Sequence, residues 1–307
     1  MSAQALPPEV LIDWQRRRWR RTSARPVLAL RVALLSSALV LGWAYAQADY
    51  LHGGGSSSER LWRGLYFPLV AWGWWTSLLA LVSGADLRQD RPTWDALRAS
   101  ERGVLLTLRA YWLAGFGRLR FELSVALLGR LALLMGLLVE LASLRGGYLN
   151  ILAGGLIPPA PQSLAFACVV LALAAALALP MASTGLEMAL GLLIARSVRP
   201  SWLRDLAYLS ALGLRFSLGV AGLLAFARLP ALPSSGDVEQ VVVAVIGALT
   251  FGDGGLLAFS LSQSAQVWGL LTHGLALSLL WLGLLLAQAL LSDLLLALAV
   301  RAAQRAE

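Results

Sequence analysis

The sequence predicts an all-α, polytopic integral membrane protein of about six transmembrane helices, with both termini cytoplasmic. Three observations carry this. Of the 307 residues, 58% are hydrophobic and only 14% are charged, and the mean hydropathy is +0.71. A soluble domain is nearer half apolar and about a quarter charged. The apolar residues fall in runs of about 20 residues, the length that crosses a bilayer as a helix. Arginines crowd alternate ends of those runs.

Residues 1–26 form a basic N-terminal segment containing Arg16, Arg17, Arg18, Arg20, Arg21 and Arg25. A single transmembrane domain is expected over 27–300, with a short cytoplasmic tail at 301–307. The first span runs from Val27 to Ala48. Its Ala44-Tyr45-Ala46 resembles a signal-peptide cleavage site. The run is long enough to cross, however, and further spans follow, so an uncleaved helix is expected. The second span runs from Gly64 to Ser83 and the third from Leu119 to Ala142. The fourth, from Ser163 to Ala195, is too long for one straight crossing. Pro180 is placed to kink it, and a re-entrant pair is the alternative. The fifth runs from Leu206 to Ala227 and the sixth from Trp268 to Val300.

The outer loop 229–266 holds two short apolar pieces, Val241 to Phe251 and Leu256 to Leu261, around Gly252, Gly254 and Gly255. Apolar pieces of this length are more often re-entrant or interfacial than spanning. A hairpin dipping back into the membrane over 240–262 fits. So does an ordinary loop packed on the helix ends.

Eighteen arginines fall on the side of the termini and four (Arg60, Arg63, Arg145, Arg228) on the other. Basic residues flank the cytoplasmic ends of spans, which sets the orientation. Trp43, Trp62 and Trp268 stand at the outer ends, where interfacial aromatics belong. The expected location is the inner membrane of a bacterial cell.

Composition excludes several functions. All 25 basic residues are arginine. Without lysine there is no P-loop ATPase and no Schiff-base pigment in this chain. One cysteine (Cys168) and two histidines (His52, His273) leave no disulfide, no structural zinc site and no resident cofactor. No HExxH or GxSxG occurs, so no catalytic residues are assigned and no enzyme is expected. Phe251-Gly-Asp253-Gly-Gly is only distantly like an intramembrane aspartyl protease motif, and its order differs. The formal charge of +8 comes from arginines beside apolar runs. The partner is therefore the lipid bilayer surface and not nucleic acid.

The segment between spans two and three is the most informative. Pro92 and Thr93 make a helix-start signal, with Asp95 in the first turn. Trp94, Leu97, Val104, Leu105, Leu108 and Trp112 then fall on one face, and Asp95, Arg98, Arg102 and Arg109 on the other. This predicts an amphipathic cytoplasmic interfacial helix over about 93–114. Gly115 and Gly117 allow a bend into span three.

This segment is similar to one in the membrane (permease) subunits of type-2 ABC exporters, which carry Thr-Trp/Leu-Asp/Glu-x-Leu after span two. The match here is Arg91-Pro-Thr93-Trp94-Asp95-Ala-Leu97. The six-span layout and Ala189-Leu-Gly191-Leu-Leu-Ile-Ala-Arg196 resemble the family as well. Two departures stand: Arg91-Pro92 replaces the acidic position, and an arginine block replaces the N-terminal amphipathic helix. The resemblance implies that Thr93, Trp94, Asp95, Leu97, Arg98 and Arg102 contact a separate P-loop ATPase subunit. It also implies a homodimer, or a heterodimer with another permease. Amphipathicity alone is met equally by a helix that only anchors the loop. A non-transporting scaffold or accessory subunit fits the lack of catalytic motifs too.

Arg130 and Arg215 fall near the middles of spans three and five. Each costs about 2.5–3.5 kcal/mol at the bilayer centre on insertion scales. Glu140, Glu187 and Asp293 are the candidate partners. Such charges line a substrate path or form structural pairs between helices. Arg31 is expected to snorkel to the inner face without a role.

Overall fold

The computed structural model describes residues 57–83, 103–143, 161–198, 200–228 and 274–305, with helical residues scattered between 31 and 40 and between 238 and 246. Among the described residues the regular structure is entirely helical. The helices are α1 (Ser57–Ser83), α2 (Gly103–Arg118), α3 (Arg120–Ser143), α4 (Gln162–Ser197), α5 (Ser201–Arg228) and α6 (Gly274–Arg305). Two stretches are long and apolar enough to cross a membrane, Leu173–Ser197 in α4 and Leu279–Gln304 in α6. Pro68–Ser83 in α1 is apolar but shorter. Thr93, Trp94, Asp95, Leu97, Arg98 and Arg102 lie outside the described residues, as does most of the loop 229–266.

α4 forms one continuous helix of 36 residues, not a re-entrant pair. At 1.5 Å per residue it is ~54 Å long, well beyond the ~30 Å hydrocarbon layer. Pro180 lies inside it and removes one backbone donor. Nearby hydroxyls bond back to the carbonyls of the same turn: Thr184 Oγ1 donates to the Pro180 carbonyl at 2.7 Å and Ser183 Oγ to that of Leu179 at 2.8 Å. A buried hydroxyl with no other partner is satisfied this way, which lets a helix carry polar residues through an apolar bundle.

α2 and α3 are joined through the single residue Leu119. Helix-type bonds persist across it, from Leu119 N to Gly115 O at 3.0 Å and from Leu123 N to Leu119 O at 2.8 Å. The bend foreseen at Gly115 and Gly117 is therefore confined to one turn residue. Gly115 serves packing instead. Gly115 meets the Met188 side chain of α4, where a Cβ would collide with the sulfur.

Contacts fix the helix directions. Ser77 meets Glu187, and the Leu81 carbonyl lies against Gly191, so α1 and α4 run parallel. Gly185 faces Ser292, while Ala189 and Leu192 join one apolar cluster with Leu296, Ala299 and Ala303, so α4 and α6 run parallel as well. α5 opposes them: Arg215 meets Glu187 while Tyr208 Oη donates to the Gly191 carbonyl at 3.0 Å. α3 opposes α1, with Glu122 beside Trp72 and Gly129 beside Leu69.

Gly191 carries the closest of these approaches. A Cβ there would run into the Leu81 carbonyl, which is rigid backbone. Only glycine lets α1 and α4 meet at that point. The α2 face is close to the expected one: Val104 and Leu108 are buried, Trp112 is half-buried and Arg109 is exposed. Leu105 differs, at 46% exposed, because it shares a stripe with Arg109 and Leu113 on the outer side.

Candidate functional site

α1, α4 and α5 bring three polar side chains together inside the apolar bundle. Ser77 Oγ donates to Glu187 Oε1 at 2.8 Å. Arg215 Nε lies 2.9 Å from the same oxygen. Arg215 Nε also donates to Ser77 Oγ at 3.3 Å. Ser77 is buried at 2% exposure and Glu187 at 8%. The three atoms form a closed triangle in which the serine hydroxyl both accepts from the cation and donates to the anion. Two opposite charges in a low-dielectric interior need mutual neutralisation, and here the shared serine hydroxyl adds a hydrogen bond to each.

Local sequence explains the placement. Ser77 and Trp74 project from α1 toward α5, where Gly219 leaves room for the Trp74 indole against the backbone. The Trp74 ring meets Phe216 at a centroid distance of 4.7 Å. These aromatics flank Arg215 and hold α5 at the level where its guanidinium reaches Glu187. The α5 surface beyond them is apolar and outward-facing, with Leu214 and Phe216 more than half exposed.

A second charge pair lies on the other side of α1. Arg31 Nε approaches Glu122 Oε1 to 2.6 Å, a charge contact whose angle is not that of a hydrogen bond. Glu122 is fully buried at 0%. The Arg31 guanidinium sits 5.8 Å from the centre of the Phe121 ring, within cation–π range. The Trp72 indole donates to the Glu122 backbone carbonyl at 2.9 Å, fastening α1 to the start of α3. Arg31 is thus an ion-pair member and not a snorkelling cation. The charge it meets stands in the first turn of α3, where the helix dipole also favours a carboxylate.

The residues flagged from sequence separate as follows. Glu187 and Arg215 are brought together. Arg130 is buried on α3 at 3% exposure. Asp293, expected as a partner for Arg130 or Arg215, is instead exposed on α6 and reaches neither, because its turn of α6 points outward while Ser292 and Leu296 point in. The side chain of Glu140 lies outside the described residues. Ser77 and Glu122 were missed. Glu122 carried a signal, being an acid inside an apolar run; Ser77 carried none. Among the described residues, no group of three or more His, Cys, Asp or Glu is placed to hold a metal ion.

No protein family, curated protein or solved structure matches this chain.

Proposed function

We propose that this chain is the membrane-spanning permease subunit of an ABC-type transporter. In this reading it crosses the inner membrane six times with both ends cytoplasmic, and a separate P-loop ATPase subunit drives it. The supporting observation is the seating of α2, which directly follows the candidate docking residues Thr93–Arg102. Val104 and Leu108 share one buried cluster with Ala189 and Leu192 of α4 and with Leu296, Ala299 and Ala303 of α6. Trp112 Nε1 donates to the Gly185 carbonyl of α4 at 2.8 Å. A push on the docking segment therefore reaches both long apolar helices through one packed contact. Close-packed interiors transmit displacement and do not absorb it.

The helix directions support the six-span threading. α1, α4 and α6 occupy the second, fourth and sixth expected spans and run parallel; α3 and α5 occupy the third and fifth and run opposite. Alternating direction is what successive crossings require. The Glu187–Arg215 pair lies between helices that a transport cycle would have to move, so it serves as an interhelical lock within the substrate-handling bundle.

Co-purification in mild detergent tests the reading. An ATPase subunit is expected to accompany the chain, and a Trp94→Ala/Leu97→Ala/Arg98→Ala variant is expected to fold but lose transport-linked ATP hydrolysis. A chain that folds, carries out its membrane role and never associates with an ATPase defeats the proposal and leaves the scaffold reading.

A further inference from the structure

Two polar residues interrupt the buried stripe of α6. Trp281, Gln288, Ser292, Leu296, Ala299 and Ala303 recur at the three-, four- and seven-residue spacing of one helix face, and all are buried. Gln288 and Ser292 are each 5% exposed and fall within Leu279–Gln304, one of the two stretches apolar enough to cross a membrane. Among the described residues, nothing bonds to Gln288 Oε1 or to Ser292 Oγ. Buried polar groups in folded proteins are almost always hydrogen-bonded, either to protein or to ordered water.

Ser292 differs from Thr76, Ser183 and Thr184. Each of those hydroxyls donates to the carbonyl one turn back in its own helix, at 2.8, 2.8 and 2.7 Å. Ser292 makes no such bond. Its Oγ stands instead at the junction of α2, α4 and α6. A Cβ built on Gly185 would lie 3.7 Å from that oxygen, and 3.1 and 3.3 Å from the Trp112 and Phe116 rings. Because Gly185 has no side chain, the hydroxyl faces a spot that α4 does not fill. The Trp112 indole already donates to the Gly185 carbonyl, so neither ring offers Ser292 a partner.

We infer that Gln288 and Ser292 together hold one ordered water molecule in the seam between α6 and α4. The two residues stand four apart on one face, a spacing that sets their Cβ atoms about 5–6 Å from each other. Two hydrogen bonds of about 2.8 Å through a single oxygen cover such a gap. An amide offers an acceptor and donors, a hydroxyl offers both, and water complements either. Buried water is retained where two or more polar groups converge on it. The Trp112 and Phe116 rings already crowd the Gly185 position, which favours the smallest polar ligand over a larger solute. The two long apolar helices are then wet at one point of their contact. The inference goes beyond the transporter reading and requires neither an ATPase nor a particular threading.

Brief X-ray radiolysis of the full chain in phospholipid nanodiscs tests this. It turns bound water into hydroxyl radicals, which oxidise the side chains beside it, and peptide mass spectrometry reads the product. Oxidation of Trp112 and Phe116 is expected in the wild type. A Gln288→Leu/Ser292→Ala variant should lower it several-fold, while Trp281, buried on the same stripe, should keep its wild-type level. Ser292→Ala alone removes one oxygen atom and should also lower it, which keeps the test open if the double variant fails to fold. Leu290→Ala, on the exposed face of α6, should leave the signal intact. Absence of oxidation at both rings in the wild type overturns the inference. So does an equal signal in wild type and Ser292→Ala, or a loss that Leu290→Ala reproduces.

Discussion

Arg215 and Glu187 lie on consecutive antiparallel helices and meet with Nε 2.9 Å from Oε1, both largely hidden from solvent. Ser77 closes the contact from a third helix. Each helix of the trio supplies one corner, so the pair sets the relative rotation of α1, α4 and α5 as well as their spacing.

That geometry predicts an asymmetry between single and double substitutions. Arg215→Leu alone, or Glu187→Leu alone, breaks a buried ion pair by removing one member and is expected to destabilise the protein by about 3–5 kcal/mol. Replacing both with leucine removes both desolvation costs, so the double variant should recover most of that loss. Unfolding in detergent micelles measures all three. Equal destabilisation by the double and the single variants would show that the contact is not an isolated pair.

The Arg31–Glu122 contact behaves in the same way across a different interface. Arg31→Ala strands a carboxylate with no solvent exposure and is expected to cost about 3–5 kcal/mol. Glu122→Gln in the same chain should relieve most of it, since a neutral amide needs no counter-charge. Thermal unfolding of the single and double variants checks this. A negligible effect of Arg31→Ala would return Arg31 to the snorkelling role expected from its position near the basic N-terminal block.

Two glycines make opposite predictions for the same substitution. At Gly191 a methyl group would strike the Leu81 carbonyl, and Gly191→Ala is expected to destabilise by about 1–3 kcal/mol through overpacking. At Gly213 nothing lies within 4 Å of the added atom. There Gly213→Ala should be neutral or stabilising by up to about 1 kcal/mol, from helix propensity alone. Melting temperatures of the two variants, measured side by side, decide it.

The threading is tested in intact cells. With Cys168 replaced by Ala, a single cysteine introduced at position 100 is expected to stay unlabelled by a membrane-impermeant maleimide until the cells are opened. Labelling from outside would reverse the orientation argued from the arginines.

Much of the helical framework was legible in the residues. The apolar runs expected as spans two to five fall on α1 and α3 to α5, and the described part of the sixth run falls on α6; the helices extend beyond the runs, as at Ser57 and Arg305, and two of them are long and apolar enough to cross a membrane. The reason is local: a backbone in an apolar setting must satisfy its own hydrogen bonds, so long apolar runs become helices whatever they pack against. The buried face of α2 was legible from its 3.6-residue period, apart from Leu105.

The pairing of charges was decided only by tertiary packing. Sequence identified Arg215, Glu187 and Asp293 as charges in apolar surroundings, but a residue's partner depends on how far its helix is rotated and slid against its neighbours. Gly191, by admitting the Leu81 carbonyl, sets the level at which α1 and α4 meet, and that level places Ser77 against Glu187. Asp293 belongs to the same class of residue, yet the rotation that buries Ser292 and Leu296 turns it outward. The amino-acid order alone determined that the described residues are helical and apolar, because those properties follow from each residue's own transfer energy and backbone needs. Which charges neutralise one another is a property of distances between helices, and only the packed bundle supplies those.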